Sequence, residues 1–460
     1  MKTASPSLKK IVILFLLIIS FSCEIDNSLE TKSINTEVLK TNFEIPAPKI
    51  QHNDSILRTI LDKELEILKT GKQELSFQNK SMTIDKTNVK KVYVHYLPWF
   101  QSNEYDGYWG QHWTMSNRNP DNLDTNGNNE IASYYNPLIG PYASRDPYLQ
   151  EYHFLLMKLS GIDGVIFDWY GSRDIHDYGL IKKATETFIP KLKNINLDFS
   201  IMYEDRVAYM EEPGNEINPV KRAKEDFRYI RDTYLNNSNY IKFNDSKFIS
   251  FFGPHHITKK AQWNTIYNVF DNSEKPEFIS LWGLKESMGK HFTGEFLWVA
   301  PDHLLAQNYY YQTHADTNSM TIGSTYPGFK SFYAQGGWSD GINEWELPMD
   351  DGDTFIEVLN NNAHEDSDFI QVITWNDFGE GTMIEPTTQH GFMFLEILQE
   401  YTGVSFTADD LAVVVRLYKA RKNHRDNPEV MSLLDSSYDY MKSLDISRVD
   451  AILQAIEVYY

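Results

Sequence analysis

Cysteine is nearly absent. Cys23 stands alone among 460 residues, so no disulfide can form within the chain. Basic residues are also scarce: 43 Lys and Arg face 64 Asp and Glu, a formal net charge of −21. A surface of that sign repels phosphate backbones, and no nucleic-acid partner is expected. The basic run at 419–425 is interrupted by Ala, Asn and His and reads as a solvated helix face. The apolar run at 11–21 is too short for a comfortable membrane span. A Gly-rich phosphate loop, a Ser-centred elbow and a Cys–His pair are missing, which removes three common catalytic constellations. No internal repeat or low-complexity tract is visible. Aromatics are plentiful at 14%, and they supply both core and flat walls on which apolar ring faces can lie.

The first residues explain the cysteine. Lys2, Lys9 and Lys10 precede the apolar run, and Ser22 stands just before Cys23. This pattern predicts a signal peptide over 1–22 and lipid on Cys23, although Ser20 stands where the usual lipobox has Leu. A lipoprotein of the bacterial outer membrane or cell surface is expected, with membrane contact through the anchor only. Residues 23–53 are polar and dotted with Asn, Ser, Thr and Pro, which predicts a flexible tether. Helical periodicity over 55–69 predicts a helix packed on the domain from outside.

From residue 92, short β-rich runs alternate with helical stretches. The runs lie at 92–97, 164–170, 199–205, 247–253, 277–283, 295–300, 320–326 and 369–375. Helical patterns fall at 147–160, 178–194, 219–235, 260–270 and 354–364, with little helix around the fifth and sixth runs. Continuous apolar strands separated by helices indicate a parallel sheet buried on both faces. Eight such units predict a closed α/β architecture, the (β/α)8 TIM barrel. The expected catalytic domain spans 54–406 with its leading helix, and 407–460 read as a C-terminal helical appendage. A monomer is expected.

In such a barrel the site lies at the C-terminal strand ends. The first strand delivers His95, Tyr96 and Trp99 there, with Trp113 further along its loop. The second delivers Asp168, Trp169 and Tyr170; the third, Glu204, Asp205 and Arg206; the eighth, Asn376, Asp377, Glu380 and Glu385. Carboxyls and aromatics converging on one face suit glycoside hydrolysis, which needs a carboxyl to protonate the leaving oxygen and a second group assisting at the anomeric carbon. Structural readings compete. Asp168 could cap the following helix, Glu204 and Asp205 could pair with Arg206, and His95 could be a core histidine. Glu380 lies between Gly379 and Gly381, which allow a tight turn. The oxygen-rich segment 121–130 invites a calcium reading, but Gly127 is out of step with an EF-hand loop, so a polar loop is expected. No metal and no cofactor are expected.

At the eighth strand the segment ITWNDFGEGTMIEP resembles glycoside hydrolase family 99, the endo-α-mannosidase and endo-α-mannanase family, and its 71/99-like relatives. The family motif there has Asn, Glu, Trp, His, Glu, Gly, Thr, Gln, Ile, Glu. Asn376, Glu380, Gly381, Thr382, Ile384 and Glu385 match it. Asp377 stands for the first Glu, Phe378 for Trp, Gly379 for His and Met383 for Gln. HYLPWF, YWGQHW, DWYG and MYEDR extend the likeness across residues 91–400. The resemblance implies a polysaccharide or glycan substrate with α-linkages, and retention of configuration through a 1,2-anhydro sugar. Asp377 would deprotonate the 2-hydroxyl, Glu380 would act as acid and then base, and Glu204 would bind substrate. Asp168, His95, Tyr96, Trp99, Trp113, Trp169, Tyr170, Asn376 and Glu385 are the other candidate substrate-binding residues. An inverting hydrolase of the 71 type and a non-catalytic surface glycan-binding lipoprotein are the alternatives.

Overall fold

The computed structural model describes residues 43–70, 82–211, 217–270, 275–338, 341, 343–364 and 367–460. The expected signal peptide, Cys23 and most of the expected tether lie outside the described residues.

Eight strands close into a parallel barrel: β1 (Lys91–Tyr96), β2 (Gly164–Trp169), β3 (Asp198–Tyr203), β4 (Ser246–Phe251), β5 (Glu277–Leu281), β6 (Phe292–Phe296), β7 (Thr321–Thr325) and β8 (Phe369–Val372). Each pairs in parallel with its successor, and β8 closes onto β1. The chain is a (β/α)8 barrel. Its lumen is filled by one side chain from each strand: Tyr93, Ile166, Met202, Phe248, Ile279, Phe296, Ile322 and Phe369. Because side chains alternate along a strand, these residues fix which neighbours face inward and which face the helices.

Helices start where the chain supplies an N-terminal cap and a proline. Asp146 accepts from the Tyr148 N–H ahead of α1 (Pro147–Leu159), and Asn218 accepts from the Lys221 N–H ahead of α2 (Pro219–Tyr229). The sixth strand lies earlier than its apolar pattern suggests. Thr293, Gly294 and Glu295 occupy its middle, and Glu295 is held outside the barrel by the Lys285 N–H and His314. The eighth ends at Val372 instead of Trp375, because residues 374–385 fold back on themselves.

The ends of the chain are integrated with the barrel. The helix Ala408–Asn423 lies along α1, where Arg421 pairs with Glu151 at 2.8 Å and Tyr418 meets Tyr152 at 5.2 Å. The N-terminal helix Asp54–Thr70 packs chiefly on the last two helices rather than on the barrel, with Glu64 bound by Arg448 and Tyr440. Residues 43–53, expected in the tether, instead dock: Phe43 meets Phe392 edge-on at 5.2 Å, and Gln454 bonds the backbone at both Ile50 and His52. Among the described residues, no helix is long and apolar enough to cross a membrane.

Candidate active site

A cleft of about 370 Å³ opens at the C-terminal strand ends. Trp99, Asp168, Tyr170, Glu204, Asp377 and Glu380 line it, joined by Arg206, Phe252, Trp298, Tyr333 and Trp338. Strand parity explains much of this set. Asp168, Glu204 and Trp298 each sit two residues, and Phe252 four, beyond a lumen-filling side chain of the same strand, so all four have inward parity and point up from the barrel interior.

The segment after β8 is built by its own side chains. Asn376 clamps β1 by accepting from the Leu97 N–H at 2.9 Å and donating to the Leu97 carbonyl at 3.1 Å. The Asp377 N–H donates to Thr374 Oγ1 at 2.8 Å, and Asp377 Oδ1 accepts from the Glu380 N–H at 2.8 Å. That turn brings Asp377 and Glu380 onto one wall. Gly381 completes it at φ +65, and a Cβ there would lie 2.8 Å from the Lys330 carbonyl. The segment after β7 zips against the turn: the Lys330 N–H donates to the Glu380 carbonyl and the Phe332 N–H to the Gly379 carbonyl, both at 2.8 Å. Tyr333 then donates to Glu380 Oε1 at 3.4 Å.

Electrostatics separate the two carboxyls. Burial pushes Asp377 up to about 7, opposed by the N–H groups of Glu380 and Gly379. Burial and the charge of Asp377 push Glu380 well above the ordinary carboxylate range. Of the two, Glu380 keeps its proton to higher pH.

At the ends of β2 and β3, the Tyr170 hydroxyl is shared between Asp168 Oδ2 at 2.7 Å and Glu204 Oε1 at 3.0 Å. Arg206 binds the other oxygen of Glu204 at 2.7 Å. Burial raises both Asp168 and Glu204, Asp168 further because Glu204 stands beside it and Glu204 less because Arg206 opposes the shift. Asp168 caps no helix, since the helix that follows has Asp177 at its N-cap position. Asp205 turns away from this group. Its carboxylate accepts from the N–H groups of His255, His256 and Ile257, which ties the loop after β3 to the loop after β4.

Curated proteins carry the same likeness. The chain is 22% identical over 334 residues to a glycoprotein endo-alpha-1,2-mannosidase-like protein of Danio rerio, covering 64% of this chain and 70% of that one. It is 22% identical over 335 residues to the glycoprotein endo-alpha-1,2-mannosidase of Rattus norvegicus, covering 64% and 67%. The solved family 99 endo-alpha-mannosidase of Bacteroides thetaiotaomicron superposes with a TM-score of 0.52 at 16% identity, over 73% of this chain and all of that one. No family model matches the chain. The chain is thus similar in sequence to endo-alpha-1,2-mannosidases and in fold to a family 99 enzyme.

In this barrel, six candidate substrate contacts lie behind the cleft. Trp169 and Tyr96 have outward parity on their strands. Trp169 is fully buried beside Tyr203, Tyr229 and Tyr234, and Tyr96 bonds His153 at 2.9 Å. His95 points into the lumen and is bonded to Gln371 at 2.8 Å. Burial lowers it to about 4, the behaviour of a neutral core histidine. Trp113 lies under Phe100 and Phe378 with its indole N–H on the Tyr142 carbonyl. Asn376 is spent on β1. Glu385 is held by Tyr142 at 2.6 Å and faces His153 at 3.2 Å in the core. Trp169→Ala should therefore destabilise the fold by roughly 3–5 kcal/mol, as large core truncations do. Trp99→Ala, at the cleft, should mainly weaken glycan binding, by roughly 1–3 kcal/mol. Denaturant unfolding and KM separate the two; a Trp169→Ala protein of unchanged stability and raised KM would contradict this placement.

Sequence reasoning missed Trp298, Tyr333 and Trp338. Trp298 was legible in principle, two residues beyond the lumen-facing Phe296 in a strand whose bounds were shifted. Tyr333 and Trp338 come from a long loop with no periodic signal. Segment 121–130 forms an exposed turn in which Asp124 accepts from the N–H groups of Asn126 and Asn128. Among the described residues no cluster could hold a metal ion.

Proposed function

We propose that the chain is a retaining glycoside hydrolase that cleaves an α-linked polysaccharide or glycan through a 1,2-anhydro sugar. The observation that carries this reading is the pair Asp377 and Glu380, set on one turn at the cleft wall with unequal proton affinities. Asp377, the weaker proton holder, serves as base and takes the 2-hydroxyl proton. The freed oxygen attacks its own anomeric carbon as the glycosidic oxygen leaves with the proton of Glu380. In the second step Glu380, now a carboxylate, deprotonates water; the water opens the three-membered ring at the anomeric carbon, and Asp377 returns its proton to the 2-oxygen. Two displacements at one carbon retain configuration. Glu204 and Asp168, held by Arg206 and Tyr170, line the same cleft and bind substrate hydroxyls.

The relatives named for endo-alpha-1,2-mannosidase activity make α-mannose the first sugar to test. The experiment is incubation with α-mannans and other α-glycans, reading oligosaccharide release and the anomer first formed by NMR. Retention is expected. An inverted first product would make water the direct nucleophile, and no release from any α-glycan would remove the hydrolase reading.

The lipid anchor belongs to the same proposal. Cys23 attaches the enzyme to a bacterial outer membrane or cell surface, where it acts as a monomer. Fatty-acid labelling of the wild type in its host, lost in Cys23→Ala, is the expected result; an unlabelled wild type rules the anchor out.

A further inference from the structure

We infer that Tyr333 is a positioning residue for the acid Glu380, seated in contact with the open space left by Gly379. The inference rests on the catalytic reading of Glu380 given above.

Three contacts carry it. The Tyr333 hydroxyl reaches Glu380 at 3.4 Å from Oε1, and Trp298 also bonds that carboxyl. The ring of Tyr333 lies against Gly379: a Cβ there would be in van der Waals contact with Asp377 Oδ1 and Tyr333 Cε1, each at 3.4 Å, and with Met115 Cε at 3.5 Å. The backbone leading into Tyr333 is fixed to the same turn by the bonds to the Glu380 and Gly379 carbonyls, both 2.8 Å. Tyr333 is thus aimed by a backbone ladder, and a side chain longer than Ala at position 379 would compete with it and with Asp377 and Met115 for the same space. Gly379 stands where the resembling motif has His. A glycine there leaves no side chain next to the acid, and Tyr333 brings its hydroxyl in from a different loop.

The chemistry follows from donor direction. A phenol O–H donates to Glu380 Oε1, which orients the carboxyl so that Oε2 carries the proton towards the leaving oxygen. The same bond strengthens when Glu380 becomes a carboxylate after proton delivery. Burial and the surrounding carboxyls hold the Tyr333 hydroxyl protonated well above the ordinary tyrosine range, so it stays a donor throughout. Tyr333 favours the ionised form of Glu380, so its loss should raise the pH at which Glu380 gives up its proton.

Tyr333→Phe should therefore lower kcat on a glycan with a poor leaving group by about tenfold, the worth of one hydrogen bond to a charged group. KM should change little. The basic limb of the kcat/KM profile should move to higher pH, a readout that a purely structural tyrosine would not shift. Gly379→His should be impaired more than Tyr333→Phe, and Tyr333→Ala combined with Gly379→His should recover activity relative to Gly379→His alone. Glu380→Gln is the control. If Glu380→Gln is inactive while Tyr333→Phe keeps the wild-type limb, the Tyr333 inference is overturned and the acid assignment stands. If Glu380→Gln is fully active, the acid assignment itself falls.

Discussion

Glu380→Gln should lose roughly 10²–10⁴-fold in kcat/KM on a natural glycan, the usual contribution of a positioned general acid. The loss should shrink sharply for the first chemical step on an activated aryl glycoside, whose leaving group needs no proton. This contrast comes from the environment of the side chain. Glu380 is protonated because burial and the charge of Asp377 disfavour its ionised form, and a proton held there is of use only to a poor leaving group. The rate should therefore fall as pH rises through the range in which Glu380 ionises, and the glutamine variant should lack that limb. Single-turnover rates on both substrate types, measured across pH, provide the check. Equal losses on both would remove Glu380 from the acid role.

Asp377→Asn should be severe with both leaving groups, by about 10³-fold or more, because assistance at the anomeric carbon is needed whatever departs. On the proposed mechanism Asp377 must be ionised to act. With its ionisation pushed up to about 7, activity should rise with pH through that value, and the acidic limb reports the coupled carboxyls of the wall as a pair. A substrate lacking the 2-hydroxyl should reproduce the Asp377→Asn defect. Normal turnover of a 2-deoxy or 2-fluoro glycoside would show that the 2-oxygen is not the nucleophile. Asp is one methylene shorter than the Glu of the resembling motif, and the backbone turn that seats Asp377 against the Glu380 N–H sets how far its carboxylate reaches.

The barrel was legible because its eight apolar runs are continuous and regularly spaced, and the cleft because it must lie at their C-terminal ends. Asp168, Glu204, Asp377 and Glu380 were found in this way, as were Trp99 and Tyr170. The rule for strand ends does not by itself say which way a side chain points. Adjacent residues at one strand end go to opposite faces, so Trp169 and Tyr96 entered the helical layer while Asp168 rose into the cleft. Parity would have separated them, and it would have marked Trp298. His95 shows the remaining difficulty: its parity is inward, but it lies one layer too deep, bonded to Gln371 below the cleft floor. Glu385 and Asn376 lie within the motif yet hold the turn rather than face the cleft. Tyr333 was beyond reach, since its place depends on a loop held by long-range backbone bonds to the turn.

That loop has a consequence for any attempt to move the chemistry elsewhere. Residues 374–385 bond among themselves, but their borders come from elsewhere: one is completed by the Lys330 and Phe332 N–H groups, and the other by Leu97. Grafting the motif alone onto another barrel would transplant the carboxyls without the two borders that orient them. The smallest transferable unit is discontinuous, a three-part assembly from the first, seventh and eighth strand loops, so homologous recombination that separates these loops should disrupt the catalytic wall even where every motif residue is preserved.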